Sequence, residues 1–249
     1  MIVETMTAKE IYENLALDSE KVQIRKDYYL NKAIKQLKAM RKFPAMVTYD
    51  YVHRQSQNKY ILIYYAETRR NANHPVVDSF FVQFINGARY LYKAMGGLQS
   101  PADGGEPRLV RYLQIYTKHF MDRYKQRIWD NNQHCLSDVP CAFIVRNQGF
   151  VPIMISNEIN RKIEKYDESA QYGYRVRDGF CFTRSAIEVS NEGKSHVAVS
   201  IFTTFMNESS MKSAQLNAIE MEQSKQMYQL ASDINIYGEN GVLSLIVEE

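Results

Sequence analysis

Apolar positions change their spacing along this chain, and the changes divide it into helical and strand-forming stretches. From Thr7 to Met40 they fall at Ile11, Leu15 and Leu17, then at Tyr28, Leu30, Ala33, Ile34, Leu37 and Met40, with charges between. The spacing is roughly that of a helix, broken after Leu17, and it predicts two helices. Pro44 stops the second, because proline lacks the amide donor and clashes with the preceding turn.

Beyond Pro44 the period falls to two. Val47, Tyr49 and Tyr51 alternate, Gln55-Ser56-Gln57-Asn58 is a polar turn, and Tyr60 to Tyr65 is β-branched and aromatic, which together predict a hairpin. Ser79 to Met95 predicts another strand pair about Asn86-Gly87, residues that tolerate the positive φ of a tight turn. Gly96 to Pro107 holds four glycines and two prolines without the lysine and hydroxyl of a phosphate-cradling loop, and it reads as a flexible connection. Arg108 to Tyr116 reads as a strand running into a helix that ends near Trp129 to Asn132.

The second half is mostly strand-like. Cys141 to Ile155 predicts a hairpin about Asn147 to Gly149, and Glu158 to Tyr166 a short amphipathic helix or polar excursion. Tyr172 to Asn191 contains an Asp178-Gly179 turn. His196 to Phe205 is a strand with Val197, Val199 and Ile201 on one face and Ala198, Ser200, Phe202 and Thr204 on the other. Ser213 to Ala231 reads as an amphipathic helix, with Leu216, Ile219, Met227 and Leu230 at helical intervals and a polar gap at Gln223. Gly241 to Glu249 can add a last strand.

Helices near both ends and in the centre, with hairpins between, predict an α+β fold built on a mostly antiparallel sheet. A single domain over 1–249 is expected, and a division into 1–95 and 108–249 at the glycine-proline connection stays open. The 45% apolar content can supply a core, and eighteen tyrosines and eleven phenylalanines against one tryptophan suit a pleated surface. A net charge of +3 permits nucleic acid without demanding it. Three cysteines fit a reducing, cytoplasmic setting, and no apolar run resembles a signal-peptide core or a membrane span.

The sharpest chemical pattern lies in Tyr116 to Arg127. His119, Arg123 and Arg127 recur every four residues, a spacing that drifts only about 40° per step around an α-helix, so the three heads share a face. Guanidinium groups beside a neutral imidazole would lower its pKa and keep it available as a base, while they bind phosphate and stabilise charge in a phosphoryl transition state. The plain alternative is a solvated face opposite a buried side of Phe120, Tyr124 and Ile128. Contact with nucleic acid without catalysis would use Arg108, Arg111, Arg123 and Arg127, with Tyr112, Tyr116 and Tyr124 interleaved for stacking.

Thr117, His119, Arg123 and Arg127 resemble the Thr-x-His-x-x-x-Arg-x-x-x-Arg helix of the barnase/RelE-like ribonuclease group, over about residues 110 to 206. The resemblance implies a toxin-like, metal-independent endoribonuclease with no cofactor. It makes His119 the acid/base, Arg123 and Arg127 the phosphate binders, and Thr204 (or its neighbour Thr203) a substrate-positioning hydroxyl on a late strand. A looser likeness is to proteins of bacterial mobile elements and phages. That context supports a second reading, a non-catalytic structural or interaction protein that buries its tyrosine-rich strands and last helix in a protein partner or homo-oligomer.

Other chemistry is less well supplied. His134, Cys135, Cys141 and Cys181 are ligand types that zinc accepts, but their spacing is poor and predicts buried free cysteines and no metal. His53 and His196 fall in strand patterns and His74 before a proline, all structural positions. No Gly-x-Ser-x-Gly, His-Glu-x-x-His, Walker or dinucleotide pattern occurs.

Overall fold

The computed structural model describes residues 2–3, 5–99, 108–129, 135–154, 172–189 and 196–225. Its first element is one uninterrupted helix, α1 (Ala8–Ala39), where two were expected. No glycine or proline lies between Leu17 and Tyr28, so nothing breaks the helix there. The buried side is Leu15, Asp18, Val22, Ala33 and Leu37. A carboxylate therefore stands where the periodicity looked for an apolar side chain. Thr7 and Glu10 close the start as a capping box, and the helix ends with Met40 as its C-cap, before Pro44.

Ten strands follow among the described residues: β1 (Ala45–Val52), β2 (Lys59–Ala66), β3 (Val76–Ile85), β4 (Ala88–Gln99), β5 (Arg108–Tyr116), β6 (Cys135–Leu136), β7 (Val151–Met154), β8 (Tyr172–Val176), β9 (Gly179–Val189) and β10 (His196–Met206). Helix α2 (Lys118–Tyr124) runs into a π-helical turn over Lys125–Trp129, α3 is Val139–Arg146, and α4 covers 213–225. The strands form one sheet in the order β6-β1-β2-β3-β4-β5-β10-β9-β8-β7. Only β6 with β1 and β5 with β10 are parallel pairs among the described residues, which gives the expected mostly antiparallel α+β class.

Alternation divides the sheet into two apolar faces. Helix α1 covers Val47, Leu62, Tyr64, Leu113 and Val197 on one side. On the other, α2, the π turn and α3 cover Ile63, Phe80, Leu91, Tyr116, Phe202 and Phe205. Ile219 of α4 packs on Phe180 and Phe182, on the α1 side. The β3–β4 turn has φ of 50° at Asn86 and 76° at Gly87, the mirror-image turn its sequence calls for.

Three expectations change. First, β4 and β5 pair from Gly96 with Arg111 to Gln99 with Arg108, so β4 extends into the glycine-rich stretch as far as Gln99 and pairs with the strand that follows it. Second, the predicted hairpin over Cys141 to Ile155 begins as helix α3, capped by Asp138 and with Pro140 in its first turn. Cys141 to Val145 are all buried, and a helix without a polar face shows no period to read.

Third, β10 contains a bulge. Phe202 pairs with Thr183 and Thr204 with Phe182, leaving Thr203 as the extra residue, its hydroxyl donating to the Phe182 carbonyl at 3.0 Å. The bulge shifts the alternation by one, so Phe202 and Phe205 both face α2 while Thr204 turns to the α1 side with Phe182. The expected elements at 158–166 and 241–249, and the last helix beyond 225, lie outside the described residues. No helix among the described residues is long and apolar enough to cross a membrane.

Candidate nucleic-acid interface

Thr117 fixes where α2 begins. Its hydroxyl donates to the Phe202 carbonyl at 2.9 Å and accepts from the Phe120 amide at 3.1 Å, while its own amide donates to the same carbonyl at 3.3 Å. The helix is thereby pinned to β10 just before the bulge. Phe120, Met121 and Tyr124 then point inward. Phe120 lies 4.8 Å from Phe143, Tyr124 lies 5.1 Å from Phe205, and Tyr116 stacks on Phe202 at 4.4 Å. Each such ring contributes about 1.5–3 kcal/mol by leaving water, far more than any charge on the outer face.

Of the predicted stripe, His119 and Arg123 lie in α2, while Arg127 falls in the π-helical turn, where the four-residue spacing of an α-helix no longer applies. His119 is exposed, and Arg123 and Arg127 are half-buried. Arg123 donates to the Gln126 side-chain oxygen at 3.0 Å, and Arg127 donates to the Phe205 carbonyl at the end of β10. Neither makes an ion pair among the described residues. The acid of this helix, Asp122, is taken by Lys118 at 2.5 Å. By contrast, Arg89, Arg111, Arg146, Arg175 and Arg177 all meet carboxylates. Burial first, and then the charge of Arg123, push the Arg127 guanidinium below its ordinary value. Two neighbouring cations lacking a carboxylate form a site where an incoming anion lowers the energy.

Thr204, Tyr116, Tyr124 and Arg111 do not join this face. Thr204 sits across the sheet, turned there by the bulge. Tyr116 and Tyr124 are both 0% exposed and cannot stack on a base; the aromatic spacing that suggested stacking belongs to the core. Burial, with Asp178 beside it, pushes the Tyr124 phenol well above its ordinary value. Arg111 lies 3.5 Å from Glu13 of α1, on the far side of the sheet, and Arg108 opens β5 opposite Gln99. Cys141 and Cys181 are buried in the core, where burial raises both thiols well above their ordinary value and disfavours the thiolate that zinc needs. His134 lies outside the described residues.

Two buried polar networks were not anticipated. Asp18 of α1 accepts from Ser56 Oγ at 2.7 Å, Asn58 Nδ2 at 2.8 Å and Tyr60 OH at 2.7 Å, and its other oxygen is 3.3 Å from His53 Nδ1. It ties the β1–β2 turn to the helix. Arg146 of α3 donates through Nε to both oxygens of Asp178 at 2.8 Å and through Nη1 to Glu67 at 2.7 Å. Asp178 also accepts from Tyr124 OH at 2.7 Å and Asn147 at 2.9 Å. The network borders a cavity of about 400 Å³ that includes His74, Gln148 and Arg177. Its carboxylates already have cationic partners, so it joins α3 to the β8–β9 turn and leaves little for a ligand to neutralise.

Compared with known proteins, the chain matches no family model, no curated protein and no solved structure.

Proposed function

We propose that this chain acts on RNA through the outer face of α2, as a metal-independent ribonuclease-like protein. The observation that carries the reading is the pair Arg123 and Arg127, held without carboxylate partners among the described residues, with an exposed His119 one turn before Arg123 in α2. The guanidinium groups bind a phosphodiester, and charge that builds on its oxygens during reaction is stabilised by the same groups. His119 accepts the proton of the neighbouring ribose 2′-hydroxyl as O2′ attacks phosphorus. The bond to the 5′ oxygen breaks, that oxygen takes a proton from water, and the products are a 2′,3′-cyclic phosphate and a 5′-hydroxyl end.

The test is cleavage of single-stranded RNA in excess chelator, beside DNA of the same sequence. Wild type is expected to yield cyclic-phosphate ends from RNA alone, and His119→Ala to bind RNA without cleaving it. Equal cleavage by both proteins removes His119 from the chemistry, and binding without cleavage by wild type reduces the role to RNA binding.

A second reading, an interaction protein, is supported by Leu17, Ile24 and Tyr28 of α1, which are 81%, 51% and 69% exposed at spacings that bring them to one helix side. Light scattering separates it: a stable oligomer with no affinity for RNA favours this reading.

A further inference from the structure

Strands β3 and β4 pair only from Phe81 with Tyr92 to Ile85 with Ala88. Past Phe81, β3 stays with β2, and past Tyr92, β4 stays with β5. The sheet therefore forks, and the facing edges of residues 76–80 and 93–97 have no ladder pairing across the opening. A backbone edge of this kind leaves amide and carbonyl groups seeking partners. Two side-chain contacts mark the opening: Lys93 Nζ spans it to Asp78 Oδ2 at 2.5 Å, and the Ser79 amide donates to Asp78 Oδ1 at 2.7 Å.

Helix α1 roofs the fork, enclosing a cleft of about 240 Å³. Lys26 reaches it from the helix, Lys93, Asp78 and Ser79 from the strands, and Phe81 and Tyr92 give it an apolar wall. The cleft thus holds two ammonium groups against one carboxylate, and that carboxylate is already paired with Lys93. Lys26 is half-buried and has no hydrogen-bond or ion-pair partner for its ammonium among the described residues. Burial pushes its ammonium below the ordinary value, a shift that Lys93 adds to and that Asp78 and Asp27 oppose.

We propose that this cleft binds a small organic monocarboxylate, its carboxylate on the Lys26 ammonium and its apolar body against Phe81 and Tyr92. A single negative charge matches the one uncompensated ammonium. A phosphate dianion would leave charge unmatched and would not use the aromatic wall. The site lies on the α1 side of the sheet and is independent of the RNA reading.

Titration calorimetry with benzoate, the neutral benzamide and inorganic phosphate tests the proposal. Benzoate is expected to bind saturably, with benzamide weaker by about tenfold or more, the scale of one charge-assisted hydrogen bond. Lys26→Met is expected to lose the same factor for benzoate and little for benzamide, while Lys35→Met, an exposed lysine of the same helix, changes neither. Lys26→Gln repeats the test should the methionine variant fail to fold. Absence of saturable benzoate binding, equal binding of benzoate and benzamide, indifference to Lys26, or preference for phosphate would each overturn it.

Discussion

At the scale of single residues, the groups that hold this fold are polar side chains in apolar places. Asp18 is 3% exposed and receives three hydrogen bonds, so its removal strands the hydroxyls of Ser56 and Tyr60 and the amide of Asn58. Asp18→Ala is predicted to cost roughly 3 kcal/mol, read from denaturant midpoints, with Asp18→Asn less severe because it keeps the shape and one acceptor. A variant as stable as wild type would contradict the role given to this carboxylate. Glu67 makes the pH dependence. Burial alone would raise its pKa, but the Tyr65 hydroxyl with Arg146 and Arg177 outweighs burial and lowers it from the ordinary 4.5. A lowered acid contributes stability that is present above its unfolded value and lost as pH falls through the folded one. Melting temperature is therefore predicted to fall as pH drops below about 4.5, less steeply in Glu67→Gln. Neither role was legible in the sequence. An acid inside a helix reads as a solvent-facing position, and Glu67 meets Arg146 only because the fold brings together residues 79 apart.

Among elements, what sequence conveyed depended on a readable period or on strand-favouring residues beside a clear turn. Strand β1 alternates, and the β1–β2 and β3–β4 hairpins were read correctly, although β2 is buried almost throughout and was legible only from its β-branched and aromatic residues and the polar turn before it. Helix α3 is buried over Cys141 to Val145 and was mistaken for strand. The bulge at Thr203 left no mark in the residue types, yet it decides which face Thr204 occupies and removes it from the candidate site. The same passage shows how α2 is positioned, since Thr117 both caps the helix and bonds β10 at Phe202. Thr117→Ala is predicted to cost about 1–2 kcal/mol, a cap plus one internal hydrogen bond, and Thr117→Ser to restore most of it. Calorimetric melting of the three proteins checks this, and equal stability of alanine and threonine forms would show that the latch contributes nothing.

For the whole molecule, one sheet carries two separate surfaces. The α1 side holds the forked cleft, and on the α2 side Arg123 and Arg127 meet no carboxylate among the described residues. Sequence spacing placed His119 and Arg123 on one helix because helical period is a local property, but it did not foresee the π-helical turn that holds Arg127. It could not show that Tyr116 and Tyr124 are core residues or that Arg111 points to the other side, since those outcomes depend on pairing across the sheet. The central claim is that the α2 face binds RNA. Fluorescence anisotropy of a labelled single-stranded RNA, titrated with wild type and with Arg123→Ala/Arg127→Ala over a range of salt, tests it most directly. Both positions are half-buried and Arg127→Ala also removes the hydrogen bond to the Phe205 carbonyl, about 0.5–1.5 kcal/mol, so melting curves of the two proteins are needed to separate binding from folding. The account predicts salt-sensitive binding by wild type. In the double variant, affinity should fall and the slope of log affinity against log salt should shrink by about 1.4, the release expected for two phosphate contacts on a single strand. Equal affinity and slope for the two proteins, or no binding by wild type at low salt, would contradict it.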